Sequence, residues 1–107
     1  NSLPCWCFVN SIVQIDDSSE EWYIKEINIT DHVEITISAN GVDKKVIPNC
    51  LTPLRSLKPN GYAKVIAGPN AGAIYAIAGI SGGRASLQIS KNELRSFPFS
   101  NLVAVKK

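Results

Sequence analysis

The chain repeats itself at intervals slightly above fifty residues, and that repeat limits its fold more than any other feature. Ile12-Val13-Gln14-Ile15 falls on Lys64-Val65-Ile66-Ala67 at an offset of 52, and Tyr23-Ile24 with Ile27 falls on Ala76-Ile77 with Ile80 at 53. Ile35-Thr36-Ile37-Ser38 falls on Leu87-Gln88-Ile89-Ser90 at 52. Val46, Leu51 and Leu54 fall on Phe97, Leu102 and Val105 at 51, with Pro48 and Pro98 nearby in both. The same order of segments occurs twice, so one supersecondary unit is used twice.

Inside each repeat the apolar period is two. His32 to Ser38 alternates Val33, Ile35 and Ile37 with Glu34, Thr36 and Ser38, the pattern of a half-buried strand. Ser11–Ile15, Trp22–Ile27, Ala63–Ala67, Ile74–Ile80 and Ala85–Ile89 are short, β-branched or aromatic, and bounded by turn formers. Asn40-Gly41 and Gly82-Gly83 are hairpin signals, because two-residue hairpin turns need positive φ where Asn and Gly cost least. No window predicts a long helix, and the connector from Pro53 to Pro59 is the best place for a single helical turn. The predicted fold is all-β, two SH3-like antiparallel β-barrels in tandem, residues 1–53 and 58–107. Barrels this small bury little surface alone, so the two are expected to pack together with Leu51, Leu54 and Leu57 at the joint.

With 107 residues, 45% of them hydrophobic and 19% charged, the chain has the composition of a globular protein. No apolar run is as long as a helical membrane span, and the opening NSLPCWCFVN lacks the basic and apolar regions of a signal peptide. Methionine is absent, which leads us to expect a segment of a longer chain. Three cysteines make no disulfide framework, pointing to a reducing compartment, cytosol or nucleus. Charge divides sharply. Residues 1–53 carry three basic and eight acidic side chains, net −5, whereas residues 54–107 carry eight basic and one acidic, net +7. A half so basic suits nucleic acid or an acidic protein surface.

Catalytic chemistry finds little support. The loop Gly68-Pro69-Asn70-Ala71-Gly72 lacks the Lys-Ser/Thr of a phosphate-cradling loop and leads into a strand, not a helix. Cys5 and Cys7, at strand spacing, would share a face and with Cys50 and His32 could supply four zinc ligands, but no Cys-x-x-Cys knuckle is present. Neither metal nor cofactor is expected. Asp16, Asp17, Glu20 and Glu21 fall in one polar loop and read as solvated, and no nucleophile stands beside a base. An enzyme is not expected. Tyr62 and Lys64 share a parity opposite to Val65 and are both expected at the surface. Tyr75 emerges just after the glycine loop.

Val65-Ile66-Ala67-Gly68-Pro69-Asn70-Ala71-Gly72, followed by Ile77 and Ile80, resembles the KOW motif: an apolar strand, a Gly-Pro-x-x-Gly loop and a second strand. A Trp near the start, the connector Leu51-Thr52-Pro53 and the closing stretch from Leu94 to Val103 extend the likeness over nearly the whole chain. In these features it resembles a divergent member of the tandem KOW regions of the DSIF large-subunit family, the eukaryotic branch of the NusG elongation factors. The resemblance implies a nuclear, non-catalytic module that docks on RNA polymerase II and other elongation factors, with single-stranded nascent RNA as a further partner. It implies contact residues in the second barrel: Lys58, Tyr62, Lys64, Pro69, Asn70, Tyr75, Arg84, Lys91 and Arg95. As an isolated segment the chain is expected to be a monomer. Where the family often has a basic residue after the second loop glycine and a Gly two positions on, this chain has Ala73 and Tyr75. That departure shifts the expectation from RNA gripped by the loop toward a protein-facing surface. The alternative is a tandem Tudor-like reader of methylated lysine or arginine peptides, with an aromatic cage from Trp6, Trp22 or Tyr23.

Overall fold

Ten short strands supply nearly all the regular structure in the computed structural model, which describes residues 3–16, 18–54 and 57–106. In order they are β1 (Ile12–Ile15), β2 (Glu21–Ile29), β3 (Val33–Ala39), β4 (Val42–Val46) and β5 (Leu51–Pro53), then β6 (Tyr62–Val65), β7 (Ile74–Ser81), β8 (Arg84–Ser90), β9 (Glu93–Pro98) and β10 (Leu102–Val105). They form two antiparallel sheets, ordered β4-β3-β2-β1-β5 and β10-β6-β7-β8-β9. The chain divides after Leu54 into two compact units with one sheet each. In both, a four-stranded meander is completed by a fifth strand that returns to pair with the first, the SH3-like arrangement.

Local chemistry explains the bends. Asn40 and Gly41 have φ of 52° and 82°, and Gly82 and Gly83 have 58° and 77°, as a two-residue hairpin turn requires. The second strand of each meander carries a register shift, between Ile24 and Glu26 in β2 and between Ile77 and Gly79 in β7. An extra residue on one strand sharpens twist and bend there, which lets so short a meander curl around its own core. Trp22, Ile24, Ile35, Ile37 and Leu51 fill the first core, and Val65, Ile77, Leu87, Phe97 and Leu102 fill the second.

The repeat is real in backbone detail, but its register differs from the one read from apolar positions. The backbone N–H of Asn10 donates to the Ile24 carbonyl and that of Ile24 to the Ser11 carbonyl (2.8 and 3.0 Å). Asn60, Ile77 and Gly61 repeat both bonds at 3.1 and 2.9 Å, and Asn10 and Asn60 both have left-handed φ. Partnered strands then place Ile12 on Tyr62, Ile24 on Ile77, and Ile37 on Leu87, offsets of 50, 53 and 50. The offset of 52 assigned to β1 and β3 is therefore two residues too large. A slip of two leaves every side chain on the same face of a strand, so alternation alone could not detect it. The corrected register shows that the β6–β7 loop is three residues longer than the β1–β2 loop, while the β2–β3 hairpin is three residues longer than β7–β8.

Two further expectations change. The single helical turns are 3-10 turns at Pro48–Cys50 and Phe99–Asn101, joining fourth strand to fifth, and the described residues of the Pro53–Pro59 connector contain none. Pro48 suits the start of its turn because a proline there forfeits no needed N–H. Cys5-Trp6-Cys7 is a turn and not a strand; Cys5 is exposed and Cys7 buried, so the thiols do not share a face. Burial pushes the Cys7 thiol pKa up, which makes it less reactive. Among the described residues no group of three or more His, Cys, Asp or Glu side chains gathers as a metal site would require.

Candidate docking surface of the second unit

The β6–β7 loop is shaped mainly by its own backbone. Gly68 and Gly72 have φ of 87° and 98°, a region where an added Cβ would be strained even though open space surrounds both. The N–H groups of Ala71, Gly72 and Ala73 donate to the carbonyls of Gly68, Val65 and Asn70 at 3.1, 2.8 and 3.2 Å. These bonds engage three of the loop amides with carbonyls of the same segment and take them from any phosphate. The N–H of Ile66 donates to the Asn101 carbonyl at 2.8 Å and ties the loop's root to the 3-10 turn.

Side chains then fasten the loop to β9. Arg95 Nη1 donates to Asn70 Oδ1 at 3.4 Å, and Asn70 Nδ2 donates to Tyr75 Oη at 3.5 Å. Arg95 Nη2 donates to Glu93 Oε2 at 2.9 Å, so the one acidic side chain of residues 54–107 is already engaged. Tyr75 is half-buried against the second core, which fixes the ring that the loop rests on. Arg95→Ala should change stability by less than about 1 kcal/mol, since an exposed pair contributes little. It should still speed amide hydrogen exchange at Ala71 and Ala73, which NMR would read directly.

Of the nine residues expected from sequence, the structure brings Asn70, Tyr75 and Arg95 into one bonded chain, with Pro69 exposed beside them. Lys91 lies in the exposed β8–β9 turn, which in a meander occupies the same end of the sheet as the β6–β7 loop. Arg84 and Lys58 lie toward the other end. Arg84 starts β8 and donates from Nε to Ser96 Oγ and from Nη2 to the Ser96 carbonyl (2.8 and 3.2 Å), while Lys58 is exposed in the turn before Gly61. Tyr62 and Lys64 face outward as their parity requires, but both are half-buried. Both stand beside buried neighbours on the last strand, Lys64 next to Val103 and Tyr62 next to Val105. Glu93 was missed. Its signal was its place two residues before Arg95, on the same side of one strand.

The first unit has a different character. Asp16 and Ser18 to Glu21 are exposed in and beside its β1–β2 loop, with Asp17 outside the described residues. Lys25 Nζ donates to Asp43 Oδ2 at 2.8 Å, and this bond holds the Asp43 carboxyl below its ordinary pKa, helped by the Ser38 hydroxyl. His32 is exposed in the β2–β3 turn, beside a cleft of about 330 Å³ lined by Leu3, Pro4, Val33, Ile47 and Pro48. Trp22 is a core residue and Trp6 packs against that core, so these rings serve packing. No protein-family model matches the chain, and no curated protein matches it significantly.

Proposed function

We propose that this chain is a non-catalytic docking module of a nuclear transcription elongation factor, a divergent tandem KOW region of the NusG family. In this reading it binds RNA polymerase II, with nascent single-stranded RNA as a second partner, through its basic second barrel. The observation that carries the reading is the β6–β7 loop. It is longer than its counterpart by three residues, turned by two left-handed glycines, and fastened through Asn70 to Arg95 in the half with net charge +7. A loop closed by its own backbone bonds, with Arg95 bonded to it in so basic a half, supports recognition of an acidic surface or a phosphate backbone. The engagement of the Ala71, Gly72 and Ala73 amides within the segment favours contacts made by side chains around the loop over a phosphate held within it.

The Tudor-like alternative depends on a cage of exposed rings, and the burial of Trp22 weighs against it. Two titrations separate the readings. Purified RNA polymerase II should be retained by the immobilised full chain, and trimethyl-lysine peptides should show no saturable binding. Saturable binding to those peptides, with none to polymerase, would overturn the proposal.

A further inference from the structure

The outer face of the second sheet carries an apolar patch that neither the loop nor the core uses. Inward positions on β7 and β8 are taken by Ile77, Ala85 and Leu87, so their neighbours by alternation face out. Ala76, Gln88 and Leu94 lie on one cross-strand rung, and Ile74 lies two residues along β7 from Ala76. Ile74 is 54% exposed and Leu94 55%. Between their strands, the Gln88 amide donates to the carbonyls of Ser90, Lys91 and Glu93 in the adjoining turn. Its polar head is thus engaged by backbone, and its stem adds to the apolar surface.

Around this patch the charge has one sign. Lys64 is paired with Ile74 on the same face, Arg84 begins β8 on that face, and Lys91 stands in the turn without an ion pair among the described residues. The one acidic side chain of this half, Glu93, is held by Arg95.

We infer that the outer face formed by Ile74, Ala76 and Leu94, with exposed Arg84 and Lys91 at its margins, docks an acidic protein segment that carries two apolar side chains. The partner's carboxylates meet these two cations, and its apolar side chains cover Ile74 and Leu94. Charge complementarity names the acidic partner, and the aliphatic anchors make it a protein. Unstacked bases seek aromatic faces, which Ile74 and Leu94 do not offer. This rests on the reading of the second unit as a docking module and specifies which surface and which chemistry it uses.

The test is fluorescence polarisation with the full chain and three labelled probes. They are a short Asp/Glu peptide containing two leucines, the same peptide with serines for the leucines, and a short oligouridine. The leucine peptide should bind about tenfold more tightly than the serine peptide, since burying even part of two leucines exceeds the 1.4 kcal/mol this represents. Ile74→Ser/Leu94→Ser should erase that advantage and leave oligouridine affinity unchanged. Lys91→Glu should weaken both peptides, and circular dichroism should show each variant folded. Equal binding of the two peptides would overturn the inference while leaving the docking reading intact. So would an equal loss of oligouridine binding in the double variant, or self-association of the chain that the double variant abolishes. Failure of all three probes to bind would overturn the docking reading and the inference with it.

Discussion

Replacing Ile24 by alanine should leave the first unit largely unfolded at room temperature in mild denaturant, and replacing Ile77 should do the same to the second. Ile24 has no accessible surface and Ile77 is 2% exposed. Each lies at the bulge where its meander bends, opposite Ile37 and Leu87 respectively, both fully buried. Truncation from isoleucine to alanine in such a site costs about 2–5 kcal/mol, from lost transfer energy and the cavity left behind. A unit of some fifty residues has total stability of only about 3–8 kcal/mol at the usual value per residue. One substitution therefore removes from about a quarter to all of it. Both tryptophans, Trp6 and Trp22, lie in the first unit, so urea titration followed by tryptophan fluorescence reports Ile24→Ala. Far-ultraviolet circular dichroism reports Ile77→Ala. Ile29→Ala is the control: at 61% exposed it should shift the midpoint little.

The second large effect is electrostatic. Single-stranded RNA should bind the chain with an affinity that falls steeply as salt rises, because each neutralised phosphate releases a bound counterion. Lys64→Glu combined with Arg84→Glu should weaken oligouridine binding by roughly tenfold or more. It should also flatten the slope of log affinity against log salt by about 0.7 for each contact removed. Arg84 also bonds to Ser96, so Lys91→Glu serves as the second variant, since that side chain lies in an exposed turn and carries no ion pair among the described residues. Salt-independent binding would exclude a phosphate-reading surface and leave protein docking as the remaining part of the proposal.

How far the fold could be read from sequence follows from what each strand must bury. β2, β3, β7 and β8 are central strands with one face in a core, so their alternation is plain. Their hairpins announce themselves as Asn40-Gly41 and Gly82-Gly83. β4 and β9 are edge strands, and VDKKV and ELRSFP each hold few apolar residues because an edge has less to cover and benefits from charge. Those strands could be inferred only from the hairpin signals or the repeat. The register of the repeat escaped for a reason of symmetry, the two-residue period of a strand. Asn10 and Asn60, exactly fifty apart and both in the left-handed region, held the correct offset in the sequence all along. The shared face read for Cys5 and Cys7 was lost because that reading presumed a strand where Pro4 begins a turn, with the Cys7 N–H donating to the Pro4 carbonyl at 3.0 Å.

The candidate surface was legible in composition but not in geometry. The one-sided charge of residues 54–107 and the Gly-Pro-Asn-Ala-Gly loop can be read directly. The bond between Arg95 and Asn70 spans 25 positions and joins an edge strand to a loop, so only the folded sheet reveals it. The same holds for the rung that aligns Ala76 with Gln88 and Leu94 across three strands. Parity could mark Lys64 and Tyr62 as outward-facing, but their half-burial beside Val103 and Val105 shows only in the folded sheet.

The most direct measurement is retention of purified RNA polymerase II by the immobilised full chain, comparing charge reversal in the two units. Wild type should retain polymerase, Lys64→Glu/Arg84→Glu should lose most of it, and Lys44→Glu/Lys45→Glu in the first unit should retain it like wild type. Retention that survives reversal in the second unit, or no retention by the wild-type chain, would contradict a docking role for the basic barrel.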